Sequence, residues 1–171
     1  MQIEKENRKA KKTIRVSNKI LLLLVSLITF MSCVNSTLYE ANTELPAEGW
    51  DKGTPLMFNV SVEDTINSYN ILFNVRHTGL YPRANIYFFS SVYAPDGNLM
   101  RDTLQVILAD KKGKWLGDGW GNVWTRSVIY KKKVRFPEKG IYKFEILHGE
   151  RTDNLKEILD FGIEVVTSDN K

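Results

Sequence analysis

Hydrophobic and polar residues alternate along most of the chain beyond residue 50. In the stretch MFNVSVE, Phe58, Val60 and Val62 fall on one face, and polar residues occupy the other. A period of two is typical of a β-strand with one buried face. The same period recurs in the segments 70–76, 102–109, 127–136, 141–148 and 161–166. The segment 85–93 is apolar on both faces, which indicates a central strand.

Turn signals separate these segments. The stretch APDGN, residues 94–98, and the stretch PEKG, residues 137–140, are typical of tight turns between strands. About seven short strands joined in this way predict an all-β domain, an antiparallel β-sandwich of Ig-like or jelly-roll-like type. We place this domain at residues 50–167 and a short tail at 168–171. The stretch TDNLKEIL, residues 152–159, has room for a single helical turn before the last strand.

The N-terminal region has the pattern of a secretory signal. Seven Lys and Arg residues precede the uncharged apolar stretch 20–31, which is shorter than the roughly 20 residues of a membrane-spanning helix. Ser32 and Cys33 follow, and Cys33 is the only cysteine in the chain. A small residue before a cysteine fits the lipobox of bacterial lipoproteins. The pattern predicts a signal peptide at residues 1–32 and lipidation of Cys33; an unmodified cysteine behind a plain membrane anchor is the alternative.

Removal of the signal changes the charge balance. The remaining chain has 17 basic and 18 acidic residues, so the high isoelectric point belongs to the signal. This balance gives no support for a nucleic-acid partner. The polar stretch 34–48 has no strand pattern, so residues 33–49 are predicted to be the lipidated N-terminus and a linker.

The stretch KWLGDGWGNVW, residues 114–124, contains three of the four tryptophans in the chain. It lies in the longest predicted connection, residues 110–125. Trp115, Trp120 and Trp124 are therefore candidates for a partner or ligand surface. Three interpretations remain open: a cover loop that packs on the core, a protein-binding surface, and a glycan platform of stacked aromatic rings. Trp120 lies between two glycines, and we expect it to be the most exposed of the three.

The chain offers little for catalysis. His77 lies at a predicted strand end, and Thr78 and Ser90 are nucleophile candidates by residue type only, without a nucleophile motif. The simpler interpretation is that His77 bonds a backbone carbonyl and holds the turn. His148 has no partner by spacing. We therefore predict that the protein is not an enzyme and has no cofactor.

Metal binding has equally weak support. Two histidines and scattered carboxylates do not form a zinc site. Asp110, Asp118 and Asn122 lie in or beside the long connection, but they lack the spacing of a calcium-binding loop. Carboxylates that cap turns are the simpler interpretation, so no metal site is predicted.

The stretch KKKVR, residues 131–135, is a run of positive charge. On a regular strand Lys131, Lys133 and Arg135 share one face, and a solvated face is the simplest interpretation. Contact with an anionic lipid surface or an acidic partner is the alternative.

Several motifs in fixed order resemble one known family. They are RHTGLYP at 76–82, DKKGKWLGDG at 110–119 and RFPEKGIYKF at 135–144, behind a signal with a lipidated cysteine. In this combination the chain resembles the gliding motility lipoprotein GldH family of Bacteroidota, over about residues 50–166.

The resemblance implies a non-enzymatic envelope lipoprotein that acts with other lipoproteins of the gliding and type IX secretion apparatus. It carries over one residue, Cys33, as the lipidation site. Acidic residues often follow the cysteine of surface-exported lipoproteins in this phylum, and none occurs here before Glu40. The predicted location is therefore the outer membrane, facing the periplasm. A glycan-binding lipoprotein that uses the tryptophan-rich loop is the alternative function.

Overall fold

The computed structural model describes residues 37–168, and every regular element in this range is a β-strand. The strands are β1 (Thr37–Glu44), β2 (Trp50–Asp51), β3 (Leu56–Val62), β4 (Tyr69–Thr78), β5 (Asn85–Tyr93), β6 (Leu99–Ile107), β7 (Asp118–Trp120), β8 (Val123–Val134), β9 (Gly140–His148), β10 (Asn154–Leu155) and β11 (Ile158–Thr167). None of these residues forms a helix that could span a membrane.

Two antiparallel sheets form the sandwich. The first sheet has the order β1-β11-β4-β8-β7, and the second has the order β3-β9-β5-β6. The eight long strands pair as nested hairpins, β1 with β11, β3 with β9, β4 with β8 and β5 with β6. This nesting is the arrangement of a jelly roll. The predicted antiparallel sandwich is confirmed, and the order of the strands selects the jelly roll over the Ig-like alternative.

Aromatic rings from both sheets meet at Phe161 in β11. Its ring lies 5.1 Å from Phe73 in the same sheet, and 6.0 and 4.9 Å from Phe58 and Phe88 in the opposite sheet, measured between ring centroids. Trp50 of the small β2-β10 ribbon approaches the same ring at 6.3 Å. All five side chains are buried. The inward residues of the alternating pattern therefore form one core.

The prediction of a linker at 33–49 is wrong for residues 37–44. Residues 37–44 form β1, which pairs with β11 from Thr37↔Val166 to Glu44↔Asp160. β1 is an edge strand with no fully buried residue, so its sequence can stay polar; only half-buried Leu38, Tyr39 and Ala41 pack against the core. The folded domain therefore includes β1, which precedes the predicted start at Trp50. The predicted signal peptide and Cys33 lie outside the described residues.

The seven predicted strands are present with ends shifted by a few residues. Three short strands were not predicted, β2, β7 and β10. The helical turn considered at 152–159 does not form, because Asn154 and Leu155 extend and pair with β2. Leu155 is buried by this pairing, so burial of one apolar side chain outweighs the local helical tendency.

The sandwich has two distinct ends. The Thr37 end contains the first residue of β1, Thr37, and the last residue of β8, Val134. This end also contains the loop 63–68, the turn 94–98 and the connection 135–139. At the Trp120 end lie the loop 79–84, the connection 108–122 and the segment 149–157. β4 runs between the two ends with 10 residues, a length of about 33 Å at roughly 3.3 Å per residue.

We expect Phe161→Ala to destabilise the domain by about 3–5 kcal/mol, because truncation leaves a cavity in contact with both sheets. Urea unfolding of the purified full chain, followed by tryptophan fluorescence, measures this loss. Ile129→Ala is the control, because Ile129 is an exposed aliphatic residue in β8 of the same sheet and should change the stability by less than about 0.5 kcal/mol. Equal losses in the two variants would show that Phe161 is not central to the core.

Candidate functional site

A short hairpin projects at the Trp120 end of the first sheet. β7 and β8 pair from Asp118↔Thr125 to Trp120↔Val123, with Gly121 and Asn122 between them. Gly121 has φ of 62°, at the first central position, where type II′ hairpin turns require glycine. The glycine spacing of this stretch therefore encodes a tight hairpin rather than an irregular loop.

Trp120 at the tip of this hairpin is 90% exposed, the most exposed large hydrophobic residue within 37–168. The expectation of exposure at this position is confirmed. Leu80 in the neighbouring loop is 70% exposed. The two segments are joined by a hydrogen bond in which the Gly79 amide donates to the Asn122 carbonyl at 2.9 Å. We call these two exposed apolar residues, which lie in hydrogen-bonded neighbouring segments, the apolar tip; the sequence analysis did not identify Leu80.

Trp115 behaves differently and packs against the core. Ala109 and Trp115 form a β-bridge, and the Leu116 amide donates to the Leu108 carbonyl at 2.7 Å. These bonds fold the Trp115 ring inward, where its centroid lies 4.7 Å from the ring of His77 in an edge-on contact. Trp115 is thus part of a cover over the end of the core, as the cover-loop interpretation expected.

Trp124 covers Gly119 on the paired strand. A Cβ atom at Gly119 would lie 2.5 Å from the Trp124 ring, so only glycine leaves room for this packing. Trp124 is half-buried, like Trp115. Trp115, Trp120 and Trp124 consequently do not present one exposed surface, and the expected platform of several rings reduces to the single ring of Trp120.

His77 is fully buried at the end of β4. Its Nδ1 lies 2.9 Å from the carbonyl of Thr78, which is the turn-holding bond expected from the sequence. Thr78 donates its hydroxyl to the Glu157 carboxylate, and Ser90 lies in the other sheet. Thr78 is therefore engaged as a donor to a carboxylate and is not poised as a nucleophile for His77. Burial lowers the pKa of His77, which keeps the ring neutral.

His148 is buried at the end of β9, beside Trp50. Its Nε2 lies 3.1 Å from the Trp50 carbonyl, and the two rings meet edge-on at 5.3 Å. Burial lowers the pKa of His148, while the backbone bond and Glu150 act in the opposite direction. Glu150 itself accepts from the Tyr87 amide and pairs with Arg83. The arrangement is a structural junction between β2, β5 and β9.

The calcium candidates take structural positions. Asp110 accepts the amides of Lys112 and Lys114 at 2.8 and 2.9 Å, which is the geometry of a carboxylate that caps a turn. Asp118 and Asn122 lie in β7 and in the hairpin turn. Among residues 37–168 no group of three or more His, Cys, Asp or Glu side chains is arranged to hold a metal ion.

The regular alternation expected through the basic run is interrupted, although Lys131 itself stays exposed. The β4–β8 register shifts on both sides of Ile71, which forms a bulge that includes Tyr130. Lys131 turns toward the second sheet and donates to Asp102 at 2.5 Å. Lys133 has φ of 51°, an uncommon conformation for a residue with a side chain. A regular period of two therefore does not extend through this segment.

Comparison with known proteins identifies the relatives of this chain. A family model described as GldH lipoprotein matches residues 37–165. "Gliding motility lipoprotein GldH homolog" of Christiangramia forsetii is 28% identical over 163 residues, 91% of this chain and 99% of that protein. "Gliding motility lipoprotein GldH" of Flavobacterium johnsoniae is 27% identical over 162 residues, with the same two coverages. Among solved structures, the infectious bursal disease virus VP2 subviral particle matches with a TM-score of 0.31 and 17% identity over 77% of this chain and 31% of that chain, too distant to inform function.

The two buried histidines predict a loss of stability in mild acid. Their pKa values are lowered in the folded protein, so below the unfolded value of about 6.5 the unfolded chain binds more protons. The free energy of unfolding is therefore highest above about pH 6.5. It falls as the pH drops toward the pKa values of the two histidines in the folded protein. Urea midpoints of the full chain at pH 7.5 and 5.5 measure the slope, at most about 1.4 kcal/mol per pH unit for each histidine. His77→Gln and His148→Gln should each flatten it, and an unchanged slope in both would contradict this origin.

Proposed function

Because this chain belongs to the GldH lipoprotein family, we propose that it serves the gliding motility and type IX secretion machinery as a non-catalytic, lipid-anchored envelope protein. The names of the two relatives described above support a role in gliding motility. In this proposal the protein acts through contacts with other lipoproteins of the apparatus. It resides in the outer membrane and faces the periplasm.

The exposed apolar tip formed by Trp120 and Leu80 is the observation that carries the proposal. A nearly fully exposed tryptophan is costly in water, and tryptophan is among the residues that most often dominate the affinity of protein interfaces. The hairpin fixes the backbone on both sides of Trp120, which lowers the entropy lost on binding. The tip therefore has the properties of an anchor residue for a partner protein.

The position of the tip relative to the chain terminus supports a partner away from the anchoring membrane. Only residues 34–36 separate Cys33 from Thr37, so the Cα atoms of Cys33 and Thr37 are at most about 14 Å apart. With Cys33 lipidated, the Thr37 end is held close to the bilayer. Trp120 lies at the other end of strands about 33 Å long. The tip is then available to a partner in the aqueous space.

We expect Trp120→Ala to abolish or strongly reduce partner capture. The full-length protein, acylated and carrying an affinity tag, is cross-linked in cells, extracted from the envelope in detergent, and its co-purified proteins are identified by mass spectrometry. The lipoproteins of the gliding and secretion apparatus should be recovered with the unaltered protein and lost at least tenfold with the variant. Recovery of none of them with the unaltered protein would overturn the proposal.

Ile66→Ala is the matched control for this experiment. Ile66 is 81% exposed and lies in the loop 63–68 at the Thr37 end, so it tests whether any exposed apolar residue has the same effect. Both substitutions should change the free energy of unfolding by less than about 0.5 kcal/mol. Equal loss of capture in the two variants would argue against a specific role of the tip. Competition of capture by soluble envelope polysaccharide would instead support the glycan-binding alternative.

Lipidation is tested at Cys33 itself. Cys33→Ala removes the thiol to which the diacylglycerol would be attached, so the variant should remain unprocessed or leave the membrane fraction. Cleavage of the unaltered protein should be sensitive to globomycin, and Ser36→Ala should behave like the unaltered protein. Globomycin-sensitive processing and membrane association that persist in the Cys33 variant would disprove the assignment. Surface proteolysis of intact cells then distinguishes the periplasmic from the outer face.

A further inference from the structure

The sandwich is open along one edge, where β6 faces β8. β6 is the last strand of the second sheet, and β7 covers only the Trp120 end of β8, from Val123 to Thr125. Met100 belongs to the inward-facing row of β6 that includes Leu104 and Val106, yet Met100 is 57% exposed. The two sheets therefore part at the Thr37 end of this edge, and an inward position faces solvent.

Lys131 and Asp102 bridge this opening. The bulge at Tyr130 directs Lys131 toward the second sheet, where its ammonium group lies 2.5 Å from the Asp102 carboxylate. Lys131 also lies 5.1 Å from the centroid of the Tyr130 ring. The ion pair lowers the pKa of Asp102 and raises that of Lys131, so both groups are charged near neutral pH. The sheets are thus joined at the opening by a polar contact instead of apolar packing.

Behind the bridge lies a cavity of about 340 Å³ between the sheets. This volume is within the roughly 300–1,000 Å³ of small-molecule pockets, and predominantly apolar walls are usual for such pockets. The walls are apolar side chains of both sheets and of the connection after β8, which are Ile71, Val92, Val134, Phe136, Tyr142 and Phe144. A long, flexible apolar group fits this lining, because each buried methylene contributes about 0.8 kcal/mol.

The mouth of the cavity has an excess of positive charge. Arg101, Lys131 and Arg135 line it together with two carboxylates, Asp96 and Asp102. Asp102 pairs with Lys131, and Asp96 accepts hydrogen bonds from the amide and the side chain of Asn98. Among the described residues Arg101 and Arg135 have no ion-pair partner. Two arginines in the lining of an apolar cavity are complementary in charge to an anionic headgroup.

We propose that this inter-sheet pocket binds a single acyl chain that carries an anionic headgroup, with the chain between the sheets and the headgroup at Arg101 and Arg135. The pocket lies at the Thr37 end, the end that an acylated Cys33 holds beside a bilayer, where such amphiphiles are concentrated. The proposal does not depend on the role in gliding motility, so its failure would leave the partner-binding proposal untouched. The ligand is either a free fatty acid or an anionic phospholipid with one chain inserted.

Photo-crosslinking distinguishes these outcomes. The full-length acylated protein is placed in phosphatidylcholine nanodiscs with palmitate that carries a mid-chain diazirine, with the corresponding palmityl alcohol, or with phosphatidylglycerol that carries the same diazirine in one chain. Labelled peptides are then mapped by mass spectrometry. We expect palmitate or phosphatidylglycerol to label the peptides that contain Val92 and Val134. Labelling by palmitate alone identifies a free fatty acid as the ligand, and labelling by phosphatidylglycerol identifies a membrane lipid.

Two sets of variants make the test specific. Met100→Trp closes the mouth and should reduce labelling at least tenfold, whereas Ile107→Trp, at the Trp120 end of the same strand and outside the pocket lining, should not. Arg101→Gln combined with Arg135→Gln should reduce labelling by the anionic probe at least fivefold and leave the alcohol unchanged. Urea unfolding verifies that each variant is folded. Labelling absent from the pocket, unaffected by Met100→Trp, or equal for the acid and the alcohol would overturn the proposal.

Discussion

The contact of Phe161 with aromatic rings of both sheets is the interaction on which the rest of the structure depends. Phe161 lies in the last strand of the described domain, and that strand is an interior strand of the first sheet, between β1 and β4. Its ring meets Phe58 and Phe88 from the opposite layer and Trp50 from the small ribbon. The layers are therefore joined by contacts between residues far apart in the chain, and loop-closure entropy opposes their formation.

The two ends of the sandwich differ because the two sheets pack differently at each end. At the Trp120 end, the inward-folded Trp115 and the buried His77 close the core, and the hairpin raises one tryptophan above it. At the Thr37 end, the bulge in β8 replaces close packing of the sheets by the contact between Lys131 and Asp102. The Trp120 end thus carries the apolar tip, and the Thr37 end carries the inter-sheet pocket with its charged mouth. The proposed contacts with a partner protein and with an amphiphile rest on these two features.

Features that depend on local pattern could be predicted from the sequence, and features that depend on distant pairing could not. The period of two located seven strands, and the glycines around Trp120 indicated its exposure. β1 escaped prediction because an edge strand buries little and so can remain polar. The choice between an Ig-like and a jelly-roll arrangement depends on which strands pair across most of the chain. The contact of Lys131 with the second sheet depends on a register shift opposite Ile71. The inter-sheet pocket depends on how far the two sheets separate. None of these features can be recognised within a short segment of the sequence.

Pairing of the first described strand with the last also determines how the domain responds to force. A load applied between Thr37 and the Trp120 end would act along the strands and would load the β1–β11 hydrogen bonds together in shear, from Thr37↔Val166 to Glu44↔Asp160. Bonds loaded in this direction must break nearly at once, whereas bonds pulled at right angles to the strands open one after another. Resistance to forced unfolding is governed by the unfolding rate and not by the equilibrium stability. The mechanical strength of the domain can therefore be high even where its thermodynamic stability is ordinary.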